Sequence, residues 1–107
     1  MVESDIYEIK GNVTRMPEGY VPDVYYNYKN IIIIGEAKSE KDLEISHSIE
    51  QYKSYIKYLN LHASYGKKCI IIIATPWQAS ISAYKIFKRL INKKIKLIIV
   101  NEVGVYR

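Results

Sequence analysis

The sequence predicts an α/β fold: a single domain over residues 1–107, built as a central mixed β-sheet flanked by helices. Three observations predict it. Ile31 to Ile34, Cys69 to Ala74 and Ile95 to Val100 are strand-length apolar runs, continuous rather than alternating, as expected of strands covered on both faces. Between them lie segments whose apolar residues recur at helical spacing. The run Val24 to Tyr28 meets Ile31 through Lys29-Asn30, which offers a turn. The resulting order of strand, hairpin, helix, strand, helix and strand is that of a mixed sheet with helical connections.

The elements follow in sequence. Ile6 to Ile9 alternates apolar and polar residues and reads as a short first strand, followed by a turn-rich stretch from Gly11 to Gly19 that contains Pro17. Val24 to Tyr28 and Ile31 to Ala37 form the hairpin. Ser39 is placed to cap a helix of about twenty residues, with Asp42 in the capping-box position and Glu40 beside it to complement the helix dipole. Within that helix Ile45, Ile49, Tyr52, Ile56 and Leu59 recur at steps of four and three, a core-facing stripe. Gly66 ends the segment. Cys69 to Ala74 is a buried strand, Thr75-Pro76 opens a second helix running to about Asn92, and Ile95 to Val100 is the last strand. No internal repeat or low-complexity tract interrupts this order.

Composition narrows the chemistry. A chain of 107 residues can bury a real core but has no room for a separate recognition domain, so specificity is expected from the same fold, a dimer or a partner. Cys69 is the one cysteine; no internal disulfide can form, and it reads as a small buried apolar residue rather than a nucleophile. The N-terminal residues carry Glu3 and Asp5 without a basic-then-apolar stretch, and no apolar run approaches membrane-spanning length. A soluble, cytoplasmic protein with no membrane partner is therefore expected. The net charge of +5 conceals an asymmetry: residues 1–44 hold five Lys/Arg against nine Asp/Glu, whereas residues 45–107 hold eleven against two. An acidic half beside a basic half suits a protein that grips a polyanion, the alternative being a solvated lysine surface. Lys85, Lys88 and Arg89, with Lys93 and Lys94 beyond, form a basic edge suited to phosphates. Trp77, just after Pro76, reads as an anchoring hydrophobe at the helix start.

The chemistry concentrates in Pro22-Asp23 and Glu36-Ala37-Lys38. Strand side chains alternate between faces, so Glu36 and Lys38 point one way and Ala37 the other, while the hairpin brings Asp23 close to Glu36. Two carboxylates and a lysine gathered this way are the parts of a divalent-metal site for cutting phosphodiester bonds. The plainer reading is a turn start at Asp23 and an ordinary polar strand end at Glu36 and Lys38. His47, Gln51, Tyr55, Tyr58 and His62 make a second helical stripe, whose tyrosines would stack on or hydrogen-bond a splayed strand if the face borders the metal site. Its two histidines are about four turns, roughly 22 Å, apart, too far to share an ion.

The arrangement Pro22-Asp23, Glu36-Ala37-Lys38, a long helix, then strand, helix and strand resembles the PD-(D/E)XK nuclease superfamily, the restriction-endonuclease-like fold, over roughly residues 20–100. Gln51 and Tyr55 match the Gln-x-x-x-Tyr spacing of its RecB-like branch. The resemblance implies a Mg2+-dependent endonuclease, with Mn2+ able to substitute, acting on DNA with RNA left open. It implies Asp23, Glu36 and the backbone carbonyl of Ala37 as metal ligands. A further upstream acid would be Glu8, ahead of Glu3 and Glu18. Lys38 would orient or activate the water or stabilise the transition state; flanking carboxylates favour its charged form, and so charge stabilisation and positioning. Holliday-junction resolvases and VRR-type nucleases are small stand-alone members of this kind, and cutting two strands suggests a homodimer. The alternatives are a non-catalytic nucleic-acid-binding subunit with the nuclease fold in a defence or recombination complex, and an interaction protein whose apolar strands and tyrosines face a protein partner.

Overall fold

The computed structural model describes Met16 and residues 19–106. The expected strand at Ile6 to Ile9 and the candidate acids Glu3, Glu8 and Glu18 lie outside the described residues. Within them the protein is α/β, a five-stranded mixed sheet with two α-helices. The strands are β1 (Val24–Tyr28), β2 (Ile31–Ala37), β3 (Lys68–Ala74), β4 (Ile95–Asn101) and β5 (Gly104–Tyr106), and the helices are α1 (Ser46–Ala63) and α2 (Ser80–Leu90). The sheet order is β1-β2-β3-β4-β5. The outer pairs are antiparallel and the two inner pairs parallel.

The hairpin forms as expected. Tyr28 pairs with Ile31 across the two-residue turn Lys29-Asn30, where Lys29 takes φ 54. Lys67 closes this end of the sheet, its ammonium donating to the Lys29 carbonyl at 2.7 Å and to Asn27 Oδ1 at 2.9 Å. At the other end Gly35 faces Val24, and a Cβ on Gly35 would come within 3.2 Å of the Val24 Cβ. The close approach of β1 to β2 beside Glu36 therefore favours glycine.

Both described helices lie on one face of the sheet. Ile32, Ile34, Glu36, Cys69, Ile71, Ile73, Ile95 and Ile99 are buried, while Ile33, Ile70, Ile72 and Ile98 on alternate positions are half-buried. The strand runs had suggested cover on both faces. Among the described residues the helical cover is one-sided, which follows from topology: β2-α1-β3 and β3-α2-β4 step across the sheet in the same direction, and two right-handed crossovers of that kind put both helices on the same side. Tyr52 of α1 meets Phe87 of α2 with ring centroids 4.5 Å apart, and both side chains are fully buried. The apolar stripe on α1 faces the sheet through Tyr52, Ile56 and Leu59, while Ile45 at its start is exposed.

The first helix begins six residues later than a cap at Ser39 predicts, its N-cap falling at Ile45. Ser39 does cap a turn, its Oγ accepting the Asp42 amide at 3.1 Å, but the chain then takes an extended conformation at Ile45 (φ −72, ψ 154) before the helix opens at Ser46. The interruption lets Leu43 enter the core, 1% exposed, where its carbonyl accepts the Tyr52 hydroxyl at 2.8 Å. Glu40 and Asp42 consequently stand on this turn, and the first helical turn carries no acid. Gly66 at φ 90 stops the segment as expected. The second helix is shorter than the sequence implied, a 3-10 turn over Trp77–Ala79 followed by α2. β5 was not anticipated; its turn is built by Asn101, whose Oδ1 accepts the amides of Val103 and Gly104.

Candidate functional site

The register that pairs Val24 with Gly35 sets Asp23 opposite Glu36, and two hydrogen bonds lock them in place. The Asp23 amide donates to Glu36 Oε1 at 3.2 Å, and the Ala37 amide donates to Asp23 Oδ2 at 2.9 Å. Each acid is thus oriented by the backbone of the other strand. Glu36 points toward the helices and is 7% exposed, whereas Asp23 and Ala37 are exposed.

Helix α1 completes the cluster. Tyr55 donates its hydroxyl to Glu36 Oε1 at 3.0 Å, and the Lys38 ammonium donates to Gln51 Oε1 at 2.6 Å while lying 3.9 Å from Glu36 Oε2. The fit is a matter of matched spacing. Gln51 and Tyr55 are one helical turn apart, about 6 Å, and Lys38 and Glu36 are two residues apart on one strand face, about 6.6 Å. A helix packed antiparallel to its strand presents the two pairs in register. Asp23, Glu36, Lys38, Gln51 and Tyr55 are therefore brought together.

Burial, ahead of the neighbouring Asp23 charge, holds the Glu36 carboxyl above the ordinary 4.5, against the pull of its Tyr55 hydrogen bond. Burial first and Glu36 next push the Tyr55 hydroxyl upward, so it remains a proton donor at neutral pH. Because folding favours the protonated form of Glu36, its contribution to stability is complete below 4.5 and is lost as pH rises through the raised value. In urea melts without divalent ions, the stability of the wild type relative to Glu36→Gln is expected to fall across that window. Mg2+ at neutral pH is expected to recover part of the loss in the wild type and none in the variant. A pH-independent difference between the two would contradict this.

Among the described residues no group of three or more His, Cys, Asp or Glu side chains is gathered for a metal. The donor set present is Asp23 and Glu36 with the adjacent Ala37. It fits a hard divalent cation: a desolvated carboxylate facing a second carboxylate is relieved by binding such an ion.

Compared with models of known protein families, with curated proteins and with solved structures, the chain finds no match.

An open cleft of about 520 Å³ adjoins Lys38 at the carboxyl ends of the three central strands, lined by Ala37 to Ser39, Ala74 to Pro76 and Val100 to Glu102. Its floor is held by the Lys38 amide on the Ala74 carbonyl and the Thr75 amide on the Val100 carbonyl. Thr75, expected only as the start of a helix, and Asn101 and Glu102 carry no site motif of their own; the ends of adjacent parallel strands are the signal that finds them. Lys85, Lys88 and Arg89 line one groove of about 440 Å³ together with Glu44, Ser82 and Tyr84, and the Lys88 ammonium sits 5.6 Å from the Tyr84 ring.

Other expectations change. The second stripe of α1 is not an open stacking face: Tyr55 is fully buried, Tyr58 bonds the Tyr25 hydroxyl, His62 packs on Tyr58, and His47 meets Tyr20 edge-on. The stripe faces the sheet because the hairpin extends the sheet beneath this side of α1. Trp77 is 57% exposed rather than an anchor, since the buried Ala79 seats the turn instead. Cys69 is a core residue as expected, its thiol donating to the Leu59 carbonyl at 3.3 Å and pushed up in pKa by burial. No helix among the described residues is long and apolar enough to cross a membrane.

Proposed function

We propose that this chain is a metal-dependent nuclease of the PD-(D/E)XK kind that hydrolyses phosphodiester bonds in DNA. The observation that carries the reading is the buried carboxylate of Glu36 set opposite Asp23, with the Lys38 ammonium 3.9 Å away. Asp23, Glu36 and the Ala37 carbonyl would hold Mg2+ or Mn2+. An ion held there would supply an attacking water of lowered pKa and offset charge on the phosphoryl oxygens. Tyr55 keeps Glu36 oriented through its Oε1, leaving Oε2 toward Lys38. Gln51 holds the Lys38 side chain in place through a neutral acceptor, so that it is positioned to meet the phosphate in the transition state. Lys85, Lys88 and Arg89 would bind phosphates at a distance from the cut.

The test is incubation of the chain with supercoiled plasmid, single-stranded DNA, a four-way junction and RNA in Mg2+ or Mn2+. Cleavage that requires the ion is the expected outcome, and the preferred substrate assigns the subclass. A folded chain that binds these substrates in a salt-sensitive manner and cuts none of them would instead establish a non-catalytic nucleic-acid-binding subunit.

A further inference from the structure

We propose that Trp77 is a stacking platform for an unpaired base flanking the phosphate held at Lys38, so that the substrate is single-stranded at or beside the point of cleavage. This deepens the nuclease reading and rests on it. Four observations carry it. First, Trp77 is 57% exposed although its turn is fixed without it: Ala79 is buried beneath, and the Trp77 amide donates to Glu102 Oε1 at 3.0 Å. An indole left in water forgoes one of the largest burial gains any side chain offers. Second, Trp77 adjoins the site. It lines a groove of about 400 Å³ with Ile81, Asn101, Val103 and Val105, and Asn101 and Glu102 also line the cleft that holds Lys38. From the end of β2 to the end of β4 is two strand spacings, roughly 10 Å, a reach suited to the base next to a phosphate at Lys38.

Third, the groove is apolar, with Ile81, Val103 and Val105 each more than half exposed, and the flat face of a base matches it. Fourth, the same helical face continues from Ile81 to Lys85, Lys88 and Arg89, and no acidic residue lies between Glu50 and Glu102. An aromatic followed by a basic track is the composition of a single-strand platform. In a duplex the base faces are covered by their neighbours; only an unpaired or extruded base offers one to Trp77.

Trp77 is the one tryptophan of the chain, so its emission reports on this place alone. The wild-type chain, kept from cutting by EDTA, is titrated with a labelled oligo-dT of about fifteen nucleotides and with the matching duplex, following emission and label anisotropy together. Saturable quenching by the single strand and not by the duplex is expected. Trp77→Ala is expected to weaken single-strand binding about tenfold, with Trp77→Phe within about threefold of wild type. Single-strand binding that leaves the emission unchanged, no binding at all, or a Trp77→Ala chain that binds like wild type would overturn the proposal. So would emission that changes with protein concentration alone, together with self-association lost in Trp77→Ala, which would give the patch to a second copy. Quenching without any cutting in Mg2+ overturns only the nuclease reading, and duplex cutting without quenching overturns only the stacking.

Discussion

Glu36→Gln is expected to lower metal-dependent cleavage by about a hundredfold or more, roughly 2.7 kcal/mol of barrier, while leaving the protein folded. The substitution is close to isosteric. The amide oxygen can still accept the Asp23 amide and the Tyr55 hydroxyl, now at 3.2 and 3.0 Å from Glu36 Oε1, so the hairpin and its clasp with α1 persist. What is lost is the negative charge that a divalent ion requires. The same loss relieves the chain of a desolvated carboxylate, so Glu36→Gln is expected to melt no lower than wild type at neutral pH. Activity and stability moving in opposite directions is the signature of a functional carboxylate rather than a structural one. Glu40→Gln, on the exposed turn before α1, serves as the control and is expected to change neither. Measuring both variants by plasmid cleavage and thermal melting decides the matter; a Glu36→Gln chain that cuts at the wild-type rate would remove the basis of the proposed site.

Tyr52→Ala is expected to cost about 3–5 kcal/mol, a large part of the stability of a domain of this size. Tyr52 is fully buried, packs its ring on Phe87 and hydrogen-bonds the Leu43 carbonyl, so one side chain ties α1 to α2 and to the turn before it. Burial pushes its hydroxyl up to about 12, which keeps it a donor. Tyr52→Phe separates the terms: it keeps the ring and strands the Leu43 carbonyl, at an expected cost of about 1–2 kcal/mol. Urea denaturation of the two variants checks the split. Equal costs for Phe and Ala would mean that the hydroxyl, and not the packing between helices, carries the effect.

Much of this architecture was legible because local pattern and tertiary role agree. Val24 to Tyr28 and Ile31 to Ala37 have strand composition on either side of a short turn, and their observed register follows from closing that turn with two residues. Gly66 sits in the turn that follows α1 because left-handed backbone favours glycine. The helix start was misread because Ser39 does cap a turn, and a capping residue cannot by itself tell whether the turn continues. Burial of Leu43 decided that, a long-range effect. β5 escaped because a three-residue strand offers too little pattern, although the Asn101 turn was available as a cue.

For the site, sequence alone determined which groups meet on the hairpin. Alternation puts Glu36 and Lys38 on one face, and the turn length sets Asp23 across from Glu36, since both are properties of the local backbone. The tertiary structure decided what surrounds them. Packing of α1 against β2 turned Tyr55 and Gln51 from surface candidates into partners of Glu36 and Lys38 and raised the Glu36 pKa through burial. The crossovers decided the rest, since the order in which strands are laid down sets which strand ends adjoin. That order placed Asn101 in the cleft with Lys38 and Trp77 on the groove that shares Asn101, and left the indole in solvent, where composition had suggested an anchor.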